Sequence, residues 1–582
     1  MLSWTSGISN KLSQKSKVRP ARPTQPSLAK PEPNGAGNDS TETGDSGGFR
    51  VLWVSLAALL MLWLSFPPVG LFWLAWIAPF PLIWLCQSDS MPAQRPYWQL
   101  FFAGLLYWLG TFYFIPIPHP ILWIGWILVS VYMALYTPLF VGVSRTMIHQ
   151  FRIPGIVAVP VAWTGWEWIR SNFATGMAMV CLSHTQYKYP ILIQVADLFG
   201  AYTLSFAMMV IAVGATSLFR ILISITKGIE GDAVLGDAVK KEGLTIGVSL
   251  SSLAVVLVYG SFQLNQPIVY KNESTLEIGL IQTSNDVVFR PLSQHEHMQN
   301  LSAKFEQTWA ARNQWPDLDL VVWPESGFDP NTDLISDDGN GEMVEQIANH
   351  RTKVWSNAIG YPAYFPKPIP LLTGGGTIDM ENDRHFASAF LIANDGQIET
   401  RYFKNHLIMF GEYVPFANWV PFVKSLSPIG GGISAGSTFE TITRNDVTIA
   451  PSICFETTIP HFIRRQINTL TETGTEPDVM VNMTNDGWFY GTSCLDLHLA
   501  CNVFRAVEMR KPHLICANTG LSAEIDSCGR LLQTGPRRQP TEIRAEVRPI
   551  QRTSMYRRLG DLIPMVFAGI VLLTGLAGSR KK

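Results

Sequence analysis

Three short stretches of this 582-residue chain each end an apolar, β-like run in a reactive polar side chain, the usual place for functional groups in an α/β sheet. They are Val321-Val322-Trp323-Pro324-Glu325-Ser326, Arg401-Tyr402-Phe403-Lys404-Asn405-His406 and Pro451-Ser452-Ile453-Cys454-Phe455-Glu456. Taken singly, each has a plain structural reading: Glu325 as a turn cap, Lys404 as a solvated strand end, Cys454 as a small buried hydrophobe. Taken together they hold the parts of covalent catalysis. A thiol with a pKa of about 8.5 is a modest nucleophile until a cation or a helix N-terminus favours the thiolate. Lys404 can supply the cation, and the run Thr457 to Asn468 reads as a helix that would supply the terminus. Glu325, partly buried, would then have the raised proton affinity that suits an acid and base near neutral pH.

Such groups need a sheet to position them. Short β-rich runs recur at Leu276 to Gln282, Leu320 to Trp323, Leu371 to Gly374, Ala389 to Ala393, Val447 to Cys454, Val479 to Met483 and His513 to Ala517, alternating with helical stretches. Asn394-Asp395-Gly396 is a hairpin signal, and Ser527-Cys528-Gly529 a weaker one, so the sheet is mixed. Residues 265–555 therefore read as an α/β domain. Gly374-Gly375-Gly376 lacks the following Lys and Ser/Thr of a phosphate loop and reads as a tight turn or a close backbone approach.

The rest of the chain has another texture. The whole chain is 47% hydrophobic with only 15% charged residues, and many of its 19 tryptophans lie in the first 170 residues, a composition that asks for lipid around part of it. Apolar runs at 51–66, 70–86, 98–117, 120–143, 153–170, 191–219, 245–263 and 562–578 predict about eight spans. The first two are short, and Pro67-Pro68 with Gly70 could instead break them into a hairpin. The predicted order is a disordered basic tail at 1–49, a transmembrane bundle of about seven spans at 50–264, the α/β domain, and a last span with a basic end at 556–582. With eight spans the tail basics, Arg145 with Arg152, Arg220 with Lys227, and Arg580-Lys581-Lys582 share one side. By the excess of positive charge that side is the cytoplasm, which leaves the α/β domain outside it. Arg552, Arg557 and Arg558 run against this assignment. A net charge of −1 leaves no basic stripe for phosphates, so nucleic acid is excluded as a partner. Seven cysteines without paired CxxC spacing make no disulfide framework.

The three segments resemble the Cys-Glu-Lys site of the nitrilase superfamily, and most closely its membrane branch, the apolipoprotein N-acyltransferase family. The resemblance runs from Val51 onward. It includes Phe410 to Phe416 (FGEYVPF), Thr484-Asn485-Asp486-Gly487-Trp488-Phe489, Arg505-Ala506-Val507-Glu508 and the membrane run Ile191 to Phe206. It implies an αββα sandwich beside the helical bundle, with Glu325, Lys404 and Cys454 catalytic and Glu412, Phe455 and Glu456 binding or orienting substrate. It implies no cofactor and no metal. The implied reaction moves a fatty acyl group from a membrane phospholipid through a Cys454 thioester to the N-terminal cysteine amine of a diacylated lipoprotein, in a bacterial inner membrane with the catalytic domain periplasmic. Two departures bear on substrate handling. Phe455 stands where the family commonly has tyrosine. Gln282-Thr283-Ser284-Asn285 replaces a Q-x-N start, with Phe289 in place of a nearby tryptophan.

Other patterns compete. Cys494, His498 and Cys501 share one helix face as a metal cluster would, but no fourth ligand is evident and small core residues show the same spacing. His406 beside Lys404 reads as a loop histidine. A membrane-anchored nitrilase-type amidase would use the same three residues with water as acceptor. A silent scaffold or transporter would need intramembrane ionisable groups, of which Glu167 and Asp197 are the main ones.

Overall fold

The structure is a computed structural model that describes residues 49–579 apart from 92, 227–231, 289, 291, 329–332, 336–368 and 416–431. The basic tail, Phe289 and Phe416 thus lie outside the described residues.

Among the described residues, thirteen short strands form two sheets. The first joins β1 (Leu276–Gln282), β2 (Leu320–Val322), β3 (Asp333–Ile335), β4 (Leu371–Asp379), β5 (Arg384–Ile392) and β6 (Ile398–Phe403) with the late strand β13 (Thr541–Val547), in the order β13-β1-β2-β4-β5-β6 with β3 on β4. The second joins β7 (Ile442–Arg444), β8 (Val447–Ile453), β9 (Val479–Asn485), β10 (His513–Asn518), β11 (Ala523–Ile525) and β12 (Leu531–Thr534) in reverse sequence order. Both sheets are mixed. β8, β9 and β10 are parallel, whereas β5 and β6 form the hairpin whose turn residue Gly396 adopts φ +85°.

Leu276, Ile278, Leu280, Leu320, Val322, Leu372 and Leu391 of one sheet meet Val447, Ile449, Val479, Val481, Leu514 and Cys516 of the other in a dry interior. Alternate residues point outward and are covered by helices, as the two-residue period of a strand requires. Helix Gln294–Gln314 brings Phe305 and Ala311 onto the first sheet. Helix Pro460–Glu472 brings Phe462, Ile463, Ile467 and Leu470 onto the second, beside Ala450 and Met480. The layers are α-β-β-α. Gly374 to Gly376 lie inside β4 rather than in a turn. The close approach is real at the first of them, where a Cβ would stand 2.7 Å from the Glu325 Cα.

The apolar half is helical, and its outer surface is greasy: Leu250, Val255, Val258, Leu573 and Leu576 are all more than 60% exposed. Four helices among the described residues, Leu122–Gln150, Ala201–Thr226, Glu242–Leu264 and Leu562–Ser579, are long and apolar enough to cross a membrane. The other predicted spans are shorter or more polar, and about 20 apolar residues are normally needed to cross. Arg50–Ser65 and Pro96–Thr111 have 16 residues each, and Gly155–Asn172 carries Glu167 and Arg170. The run at 191–219 begins as two one-turn helices, Pro190–Ile193 and Ala196–Phe199, before Gly200 at φ +76° opens the long helix.

Bundle and sandwich share a core. Helix Cys494–Met509 packs Leu499, Val503, Phe504 and Val507 among bundle residues such as Ile193, Leu204 and Met208. Arg510 forms a buried ion pair with Asp197 and donates to Gln194 at 2.7 Å. Glu508 accepts the Ala201 N–H at 2.8 Å, supplying a partner for one of the free amides at the start of that long helix.

Candidate active site

Glu325 follows β2, Lys404 follows β6 and Cys454 follows β8, so the three segments singled out in the sequence end on facing edges of the two sheets. The Lys404 backbone is locked on both sides, its N–H donating to Ala387 O and its carbonyl accepting from Gly436 N, each at 2.8 Å. Its ammonium is fully buried, 2.5 Å from Glu412 Oε1 and 3.6 Å from Glu325 Oε1. Glu412 is aimed by its other oxygen, which accepts the Ile408 N–H at 2.9 Å. Glu325 Oε2 accepts the Asn485 N–H at 2.9 Å from the end of β9.

Electrostatics divide the roles. Burial raises the Glu325 pKa above the usual carboxylate range, with Glu412 adding to the rise and Lys404 and the Asn485 amide opposing it. Burial alone would lower the Lys404 pKa, but Glu412 and Glu325 outweigh it and the ammonium stays charged. Burial pushes the Cys454 thiol well up, Glu325 and Asp486 push the same way, and Lys404 pulls it down. Burial thus favours the protonated sulfur, with Lys404 pulling the other way. The expected helix terminus is also weaker than foreseen, because Cys454 opens only a five-residue 3₁₀ turn, Cys454–Thr458, and the helix proper starts at Pro460. A base near the sulfur is therefore required, and Glu325, whose charge acts directly on the Cys454 thiol, is the one the site offers.

Cys454 itself adopts φ +52°, a left-handed conformation that costs an L-residue about 1–2 kcal/mol. The sequence carries no signal for it. Its carbonyl accepts from Asn482 Nδ2 and from His498 Nε2, both at 3.2 Å. His498 Nδ1 lies 3.1 Å from Asp486 Oδ1. Cys494, His498 and Cys501 do share a helix, but His498 serves the nucleophile's backbone, and among the described residues no group of three His, Cys, Asp or Glu side chains could hold a metal. Sequence reading missed these roles: Asn482 was not singled out, Asp486 lay in the resembling segment without a role of its own, and His498 was weighed only as a metal ligand.

Glu456 and Phe455 sit differently from one another. Glu456 is fully buried and accepts from Tyr402 OH, Asn405 N, His406 N and Ile453 N at 2.7–3.0 Å. It ties the lysine strand to the cysteine strand and so orients the site from behind. Burial pushes its pKa up to about 7 against the pull of those amides and Lys404. Phe455 is half-buried and packs in a cluster with Phe66, Trp108, Val180 and Phe489, at the boundary with the bundle. His406 Nε2 donates to Thr175 O, 2.8 Å away, and the ring lies alongside that of Phe455. The Gln282 to Asn285 segment is held by Asn518, which also hydrogen-bonds Asn485.

Comparison with known proteins agrees with this division. Residues 58–214 match the family model described as the apolipoprotein N-acyltransferase N-terminal domain, and residues 277–554 match the carbon-nitrogen hydrolase model. An apolipoprotein N-acyltransferase of Geobacter metallireducens is 31% identical over 540 residues, covering 90% of this chain and 94% of its own. One of Rhodopirellula baltica is 29% identical over 574 residues, covering 90% and 97%. A solved nitrilase-superfamily protein of Saccharomyces cerevisiae overlaps 47% of this chain and 91% of its own at 17% identity and a TM-score of 0.33. With a relative of that identity matched nearly end to end, and both family models falling on the two halves seen in the fold, the chain is an acyltransferase and belongs to the apolipoprotein N-acyltransferase family.

Proposed function

We propose that the protein transfers a fatty acyl group from a membrane phospholipid to the N-terminal cysteine amine of a diacylated lipoprotein, through a thioester on Cys454. The observation that carries this reading is the seating of a charged, fully buried Lys404 between Glu412 and Glu325 at the strand end facing Cys454. Glu325 takes the thiol proton as sulfur attacks the ester carbonyl, and Lys404 stabilises the oxyanion. Collapse breaks the ester C–O bond, and the departing lysophospholipid oxygen receives the proton from Glu325. The acceptor amine then attacks the thioester, Glu325 accepts its proton, and collapse to the amide returns that proton to the sulfur. Glu412 holds Lys404 in place throughout, and Phe455 lines the boundary where an acyl chain would approach from the bundle.

The same reading places the protein in a bacterial inner membrane, with eight helical segments crossing and both termini cytoplasmic. The tail would occupy 1–49, the bundle 50–264, the periplasmic catalytic domain 265–555 and the last span 556–582. Eight apolar helical segments in chain order support it, four of them of full crossing length.

Intact mass of the full chain, incubated with phospholipid and then with a diacylated lipopeptide, tests the reading. The expected result is an acyl-sized gain absent in Cys454→Ser and discharged as the lipopeptide becomes triacylated. Discharge at the same rate without lipopeptide would make water the acceptor and the protein an amidase-like hydrolase. No gain at all would remove Cys454 as the nucleophile.

A further inference from the structure

Three donors converge on one oxygen that takes no part in bond chemistry. The Cys454 carbonyl lies 3.2 Å from Asn482 Nδ2, 3.2 Å from His498 Nε2 and 3.3 Å from Thr457 Oγ1. The other ring nitrogen of His498 lies 3.1 Å from Asp486 Oδ1, an oxygen that already accepts the Thr484 hydroxyl at 2.9 Å. His498 and Asp486 are both more than nine-tenths buried, which shields these contacts from bulk solvent.

A proton inventory limits what His498 can be. A carbonyl and a carboxylate offer only lone pairs, and a neutral imidazole has one N–H. If that N–H faces Asp486, Nε2 turns a lone pair on the Cys454 oxygen. Thr457 relieves only part of this, since its single hydroxyl proton can go to Nε2, 3.2 Å away, or to the Cys454 oxygen, but not to both. Imidazolium satisfies every contact. We propose that His498 is a positioning residue of the acyl transfer, an imidazolium braced by Asp486 that clamps the Cys454 carbonyl and holds the nucleophile in its left-handed backbone conformation.

The surroundings favour that charge. Burial opposes it, while Asp486 and, from the other sheet, Glu325 favour it. On its own helix His498 is flanked by Cys494 and Cys501, one turn to either side, and by Arg505 farther along; from β10 it is faced by His513, which burial, Arg505 and His498 keep neutral. Losing the clamp frees a strained residue to relax, and a nucleophile displaced by about 1 Å loses about 10²-fold in rate.

The inference rests on Cys454 as nucleophile, and its test reads the thiol in two ways. The full chain in detergent is mixed with a diacyl phosphatidylethanolamine and followed by intact mass for acyl-enzyme formation across pH; separately, Cys454 alkylation by iodoacetamide is timed. His498→Ala should slow both by about 10²-fold with the half-saturating lipid concentration unchanged. His498→Gln, which keeps a neutral donor toward the carbonyl, should recover to within about tenfold of wild type, since one hydrogen bond is worth about 1 kcal/mol. It should also lack the alkaline loss of acylation that deprotonating His498 causes. Asp486→Asn should move that loss to lower pH. Ala as fast as wild type, or Gln no faster than Ala, overturns the clamp. Should the Ala variant fail to fold, an alkaline limb unmoved in both Gln and Asn overturns it. If wild type forms no acyl-enzyme, the thioester reading fails while the alkylation rates of the same variants still decide the clamp.

Discussion

Helix Gln294–Gln314 and helix Cys494–Met509 lie on opposite outer faces of one β-sandwich. The first buries a single stripe, Lys304, Phe305, Thr308 and Ala311, and starts from an exposed capping box between Ser293 and Glu296. The second is buried at every residue but Asp496, including an Arg505–Glu508 ion pair at 2.8 Å. A helix buried all round has two partners to satisfy. Here they are the sheet that carries Cys454 and the membrane bundle. His498 on this helix meets the Cys454 carbonyl, and Glu508, further along, meets the first amide of helix Ala201–Thr226. The nucleophile's half of the site is thereby built into the bundle, while the half carrying Glu325 and Lys404 stands on the other sheet and reaches the bundle through His406 at Thr175 O. The contrast teaches that the two sheets are anchored unequally, with the sulfur on the side whose covering helix is buried against the bundle.

The largest effect tests whether the outer half carries chemistry at all. Glu325→Gln should lower acyl-enzyme formation by about 10²–10⁴-fold, the usual worth of a general base. In wild type the rate should fall on the acid side at a pH above the ordinary carboxylate range, because the Glu325 pKa is raised. The stability sign is opposite. A folded-state pKa above the unfolded one means that ionisation costs stability as pH rises through the folded value. Glu325→Gln should thus unfold no earlier than wild type at pH 7, and an earlier thermal transition would make Glu325 a structural residue instead.

Next comes the seam. Arg510→Met leaves Asp197 buried without its cation, and removing one partner of such a pair costs about 3–5 kcal/mol. Thermal unfolding in detergent should show it, and a change below about 1 kcal/mol would mean that the sheet and bundle are not coupled through this pair. The smallest effect belongs to the exposed helix. Ser293→Ala removes one N-cap for about 1 kcal/mol and should leave acyl transfer untouched. A larger loss of transfer than of stability would erase the contrast between the two helices.

Much of the strand pattern was legible because both sheets bury alternate residues or whole parallel strands, which leaves short apolar runs bounded by turn residues. β1 begins and ends where its run does, and both hairpin signals mark antiparallel pairs. The strands β3, β7, β11, β12 and β13 were not read, since three or four residues or, for β13, an edge of mixed polarity carry little periodic signal. The span count was the weaker part: composition sees an apolar run, but crossing also depends on length, and several runs are cut by Pro, Gly or buried polar residues that the bundle needs for packing.

Residue types and their order alone determined that a thiol, a carboxylate and an amine end three strands, and that lipid surrounds part of the chain. Only the tertiary structure decided their states. Burial pushed the Cys454 thiol and the Glu325 carboxyl toward their protonated forms, Glu412 and Glu325 favoured a charged Lys404, and His498 was drawn from a would-be metal cluster to the Cys454 carbonyl. Each of these depends on distance and desolvation, and a linear sequence holds neither.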